Sequence, residues 1–151
     1  MTGIVSSSLR LRLPASPPPA AERPLDVLVP YTNPALAAHA LSRALELAHG
    51  LEAVVTLMAV HVLPYPAPLE CQEGIRQRLE SELAAVARTS PVSIRLKLVF
   101  ARDRDDAYLG LLRPQSIVVV GTKDRWWRTR EERFARRLAT RGHCVTVIKV
   151  K

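Results

Sequence analysis

The sequence predicts one α/β domain built on an open parallel sheet with helices on both faces. Short continuous apolar runs recur along the chain, stretches with apolar residues at helical spacing separate them, and Gly, Pro or Asn marks most changes from one to the other. The order reads strand, helix, strand, helix, strand, helix, strand, helix, strand. Such alternation calls for parallel strands joined by right-handed crossovers, which places helices on both faces in three α/β/α layers. At 151 residues, with 48% hydrophobic and 24% charged residues, the chain suits a single domain with a real core. No internal repeat is visible.

Residues 1–24 are rich in Ser, Pro and Ala and end in Pro17-Pro18-Pro19 and Pro24. They have little to bury and are expected as a flexible arm preceding a domain over 25–151. Leu9, Leu11 and Leu13 alternate with arginines, a pattern that would let a short strand add to a partner. Asp26 to Pro30 is the first apolar run, as for a strand buried on both faces. Asn33 is a good N-cap and Pro34 fits the first helical position, so a helix is predicted from Pro34 to about His49, stopped by Gly50. Ala37, Leu41, Ala44, Leu45 and Ala48 form its apolar stripe.

Residues 53–63 read as a second buried strand, and Pro64, Pro66 and Pro68 open a loop. A second helix is expected over Leu69 to Arg88, with Ile75, Leu79, Leu83 and Val86 on one face. Glu70 and Glu73 near its start and Arg88 near its end suit the helix dipole. From Val92 to Phe100, apolar residues alternate with Ser93, Arg95 and Lys97, the period of an edge strand with one wet face. A short helix over Arg104 to Leu112 ends before Pro114, and Ser116 to Val120, closed by Gly121, is a fourth strand. Thr129 and Glu132 have the spacing of a capping box. The helix they open turns Phe134, Ala135, Leu138 and Ala139 inward and ends at Gly142. Cys144 to Val150 is the last strand.

The net charge is +8, and it is unevenly placed. Residues 1–24 carry +2, residues 25–122 carry −1, and residues 123–151, with ten basic and three acidic side chains, carry +7. A concentrated positive field favours anionic partners, namely phosphates, nucleic acid or an anionic surface; a solvated helix face is the alternative. No apolar run reaches the ~18 residues of a membrane span, and the N-terminus lacks the apolar core of a signal peptide. A cytoplasmic location is expected. Cys71 and Cys144 form neither a disulfide framework nor a metal site.

In an open parallel sheet, ligands bind beyond the carboxyl ends of the strands where the strand order reverses. The short apolar strands at 26–29 and 116–120 are the natural central pair. The loops after them, Tyr31 to Pro34 and Gly121 to Arg128, would then border one crevice.

Val27-Leu28-Val29-Pro30, the helix through Ala40-Leu41 and Ala44-Leu45-Glu46-Leu47-Ala48, and Leu57-Met58-Ala59-Val60-His61-Val62 come in a distinctive order. Ile117-Val118-Val119-Val120-Gly121-Thr122 and Cys144-Val145-Thr146-Val147-Ile148-Lys149-Val150 complete it. Over residues 25–151 this resembles the universal stress protein family. The resemblance implies a five-stranded parallel sheet in the order 3-2-1-4-5. It also implies a homodimer through the last strand and, as in some members, ATP binding. It marks Thr32, Val60, Gly121, Thr122, Lys123 and Arg125 as candidate nucleotide or phosphate residues. The family's ATP motif is degenerate here. Thr32 stands where an Asp is expected, Asp124 replaces the second glycine, and no glycine lies between Gly121 and Gly142. Glycines in such loops let backbone N–H groups approach phosphates. Without them, Lys123 and Arg125 would hold a phosphate by side chains.

Trp126-Trp127 among arginines is the most unusual local feature. The pair could stack bases or meet a partner, forming a surface with Arg125, Arg128, Arg130, Arg133 and Arg137. One Trp is expected instead to pack on the last helix or fill the space an adenosine would take. His61 reads as a hydrogen-bonded core residue. His143 and Cys144, neighbours on a strand, point to opposite faces and make no catalytic pair. Asp103, Asp105 and Asp106 are explained by helix capping. No metal spacing and no Gly-x-Ser-x-Gly elbow is present. The expectation is therefore a non-catalytic regulatory or scaffolding module with no required cofactor and an unidentified protein partner. The alternatives are a sensor of ATP or another phosphorylated ligand, and a nucleic-acid or anionic-surface binder.

Overall fold

The computed structural model describes residues 4–10, 25–69, 72–113 and 116–151. Strand β1 covers Ile4–Arg10 and β2 covers Leu25–Pro30. Helix α1 (Pro34–Ala48) begins where Asn33 Oδ1 accepts the Leu36 N–H at 2.9 Å, and it gives way to Gly50 at φ +78°. After it come β3 (Ala53–Val62), α2 (Glu73–Ala87), β4 (Arg95–Ala101), α3 (Arg104–Leu111), β5 (Ile117–Lys123), α4 (Arg130–Thr140) and β6 (Cys144–Val150).

The five strands from β2 to β6 are all parallel and lie side by side as β4-β3-β2-β5-β6. Counted along the chain this is the expected order 3-2-1-4-5. The central pair is β2 and β5, in register at Val27 with Ile117 and Leu28 with Val118. β1 adds a sixth strand, antiparallel on β4, with Ile4 opposite Ala101 and Arg10 opposite Arg95. Of the stretch expected as an arm, Ile4–Arg10 is therefore sheet, paired within its own chain; residues 1–3 and 11–24 lie outside the described residues.

Alternate side chains of the strands feed two cores. Val27, Val29, Leu57, Leu96, Leu98 and Phe100 pack with Ala37, Leu41 and Ala44 of α1 and Leu83 of α2. On the other face Met58, Val99, Val118 and Val120 pack with Tyr108 of α3 and Phe134 and Leu138 of α4. The buried Tyr108 hydroxyl donates to the Met58 carbonyl at 2.8 Å, and the same carbonyl accepts the Tyr31 N–H at 2.8 Å. Both lone pairs of one carbonyl thus tie α3 and the β2–α1 turn to β3. Burial raises the Tyr108 phenol above its ordinary range. Among the described residues no helix is long and apolar enough to cross a membrane.

Three element ends differ from expectation. α2 begins at Glu73, not Leu69; Leu69 is buried in the core ahead of it, and the Gln72 amide donates back to the Pro68 carbonyl at 2.9 Å. Glu70 and Cys71 lie outside the described residues. β4 begins at Arg95, not Val92. Ser90 Oγ donates to the Val92 carbonyl at 2.8 Å and accepts the Val92 N–H at 3.2 Å, a local turn that holds Val92 out of the sheet. β4 borders the parallel set, but β1 covers its edge. β5 runs on through Gly121 and Thr122 to Lys123, paired with Ile148, Lys149 and Val150.

Candidate functional site

The carboxyl ends of β2 and β5 open into a groove of about 480 Å³. Asn33 and Leu36 of the first α1 turn form one wall. Lys123, Arg125, Trp127 and Arg128 from the β5–α4 loop form the other, and Thr129, Arg130, Glu131 and Arg133 close it from the start of α4. Two helices of ordinary length present their N-termini here, each with the partial positive charge of its unpaired N–H groups.

Backbone and hydroxyl contacts hold the loop at its base. The Asp124 N–H donates to the Val150 carbonyl at 2.9 Å, so β6 fixes the first turn of the loop. The Thr122 and Thr129 hydroxyls hydrogen-bond to each other, both buried, and clamp the loop's two ends together. Thr129 Oγ also accepts the Glu132 N–H at 3.2 Å and caps α4. That is half of the predicted capping box; the Glu132 Oε1 oxygen is buried without a hydrogen-bond partner among the described residues.

Of the six candidate crevice residues, Lys123 and Arg125 line the groove. Gly121 and Thr122 lie beneath it inside β5. A Cβ on Gly121 would sit 2.6 Å from the Leu36 carbonyl oxygen, so this glycine lets α1 close onto the sheet rather than admitting a phosphate. Thr32 is half-buried in the adjoining turn, and Val60 packs beside the α3/α4 core; neither lines the groove.

The groove's five cations outnumber its one carboxylate, Glu131. Lys123, Arg125, Arg128, Arg130 and Arg133 make no ion pair among the described residues. Arg137, expected on the same surface, is engaged elsewhere: it pairs with Asp105 at 2.9 Å and Asp106 at 3.8 Å, docking α4 on α3. Neither tryptophan fills the crevice. Trp126 is 91% exposed and Trp127 49% exposed, their rings meeting edge-on at 5.0 Å. The Arg125 guanidinium lies over the Trp127 ring at 5.5 Å. The expectation that one Trp would pack away is corrected here: the two rings rest on each other and on Arg125, and neither joins the core under α4.

Other candidates resolve into structure. Asp103 caps α3 by accepting the Asp106 N–H at 2.8 Å, and Asp105 also pairs with Arg104 at 3.2 Å. His143 Nδ1 accepts the Ser116 N–H at 3.3 Å while Cys144 is exposed. His61 is half-buried, edge-on to Phe100 at 5.8 Å, and makes no hydrogen bond among the described residues, which corrects its reading as a hydrogen-bonded core residue. Burial, and then the nearby Arg78 charge, lower its pKa. Among the described residues no group of His, Cys, Asp and Glu could hold a metal ion.

Asn33 falls in the loop expected to border the crevice; sequence reasoning missed Leu36 beside it, although the first turn of a helix after a central strand is well placed for that role. It also missed the stacking of Arg102 on Tyr65 at 4.1 Å and of Arg104 on Phe134 at 4.9 Å. Those pairs join distant parts of the chain and leave no local signal. Compared with protein-family models and with curated proteins, the chain matches none.

Proposed function

We propose that the chain is a non-catalytic binding module whose crevice between α1 and α4 takes a phosphorylated ligand, with ATP as the first candidate. The observation that carries this reading is the set of five groove cations without ion-pair partners among the described residues, beside two helix N-termini. Five cations gathered around a single carboxylate, Glu131, leave a net positive charge that favours a multiply charged anion. Phosphate contact would come from side chains, because the loop offers bulky residues where a glycine-rich loop would offer backbone N–H groups.

The test is a calorimetric titration of nucleotide-free protein with magnesium ATP and with tripolyphosphate. Binding is expected, weakened about tenfold or more in Lys123→Ala, the scale of one charge-assisted hydrogen bond. No binding at millimolar ligand would refute the reading.

A regulatory scaffold acting as a homodimer is the second reading. It is favoured by β6, which carries no strand on its outer edge among the described residues and leaves Val147 exposed there. Sedimentation should then find a dimer that Val147→Lys dissociates and loop charge reversal leaves intact. A wild-type monomer would exclude it.

A further inference from the structure

We infer that the rim at the carboxyl ends of the strands binds single-stranded nucleic acid, with its phosphates in the crevice and an unpaired base stacked on Trp126. This rests on the anion-binding reading of the crevice and specifies the ligand class.

Trp126 is 91% exposed, and the buried clamp between Thr122 and Thr129 holds the loop that presents it. Its edge-on contact with Trp127, at an interplanar angle of 79°, leaves aromatic faces open to a planar partner. A base offers such a face whatever its sequence, and stacking of this kind is a common basis of single-strand binding. The sugar–phosphate backbone next to that base needs cations close by, and Lys123, Arg125 and Arg128 of the same loop supply them without ion-pair partners among the described residues.

The rim repeats the arrangement. Arg102, just after β4, stacks on the exposed Tyr65 at 4.1 Å, as Arg125, just after β5, lies over Trp127. β4 and β5 are three strand spacings apart, about 14 Å. That separation suits an extended strand lying across the rim, with an aromatic–guanidinium pair near each end. A membrane fits less well. A loop that enters a bilayer surface needs aliphatic neighbours, whereas between residues 123 and 133 the large exposed apolar side chains are the two tryptophans alone, set among arginines. A duplex fits less well too, because its base faces are already stacked.

The chain has two tryptophans and both are in this loop, so its tryptophan fluorescence reads this surface directly. The full chain is titrated with a thymidine oligonucleotide of about a dozen residues, a size within single-strand site ranges. Quenching is expected, with log affinity falling against log salt at a slope of about −3, as for four to five neutralised phosphates. Trp126→Ala should raise Kd about 5- to 100-fold, and Trp126→Phe should recover most of the loss. Circular dichroism checks that both variants fold. A duplex of equal length should bind at least tenfold more weakly. An unchanged Kd in Trp126→Ala, or equal affinity for the duplex, would overturn the stacking inference. So would binding to phosphatidylserine vesicles in place of the oligonucleotide. Tripolyphosphate binding without oligonucleotide binding would refute this inference and leave the crevice reading standing; binding of neither would refute both.

Discussion

The two loops that border the crevice solve different problems. The turn after β2 is three residues long, Tyr31 to Asn33, and carries no charged side chain. Its groups face inward: the Tyr31 N–H to Met58, the Tyr31 hydroxyl to Glu82 at 3.3 Å, and Asn33 to the first turn of α1. The loop after β5 runs from Asp124 to Arg128 and has only its ends tied down. Between those ties it shows solvent two tryptophans and two arginines that make no ion pair among the described residues. One loop spends its polar groups on the fold. The other leaves them free, and that is where a ligand can be recognised.

The contrast depends on Gly121, which lets α1 sit against β5 directly below both loops. Gly121→Ala would push a methyl group into the Leu36 carbonyl and should destabilise by about 1–3 kcal/mol, read from the urea midpoint. It should also displace the α1 wall and weaken anion binding. Wild-type stability in this variant would mean that α1 yields easily and that the short turn is less fixed than its contacts imply.

Thr129→Val removes a helix cap and strands the Thr122 hydroxyl in a buried place. A loss of about 1–2 kcal/mol is expected. The two loop tryptophans should then tumble more freely, so the fluorescence anisotropy should fall while that of the unfolded chain stays the same. Unchanged anisotropy would show that the clamp does not order the loop.

The smallest effect lies at high pH. Burial first, and then the Glu82 carboxylate that it hydrogen-bonds, push the Tyr31 phenol up to about 12. In the unfolded chain it ionises near ~10. Because the folded state holds this proton more tightly, the stability gained is complete below pH ~10 and is lost as pH rises towards ~12. Tyr108, raised by its full burial, adds to the same decline. Tyr31→Phe should flatten part of the alkaline fall and leave stability at neutral pH nearly unchanged. A profile identical to wild type would mean that the turn is open to water.

Much of this fold could be read from the sequence wherever one local interaction decides the outcome. Asn33 and Pro34 start α1, Thr129 caps α4, and Gly50 and Gly142 take positive φ at their helix ends. Buried apolar runs without charges marked the central strands, and so the position of the crevice. What could not be read depends on which surfaces meet. Gly121 looks like a phosphate-loop glycine until Leu36 is seen lying against it. Arg133 and Arg137 are one helical turn apart, yet one faces the groove and the other is held by α3. The strand at Ile4–Arg10 sets three serines between Ile4, Val5 and Leu9, a pattern that names no pairing partner.

That first strand also orders events in time. Ile4 faces Ala101 and Arg10 faces Arg95, so β1 is synthesised well before the edge it will join. Until β4 has formed on β3, a strand with open hydrogen-bonding groups has nowhere in its own chain to go. Pairing over so long a separation comes late, because the intervening chain must first be gathered. The parallel sheet should therefore assemble first and be sealed afterwards, and a nascent chain stalled before β4 should expose β1 to neighbouring chains.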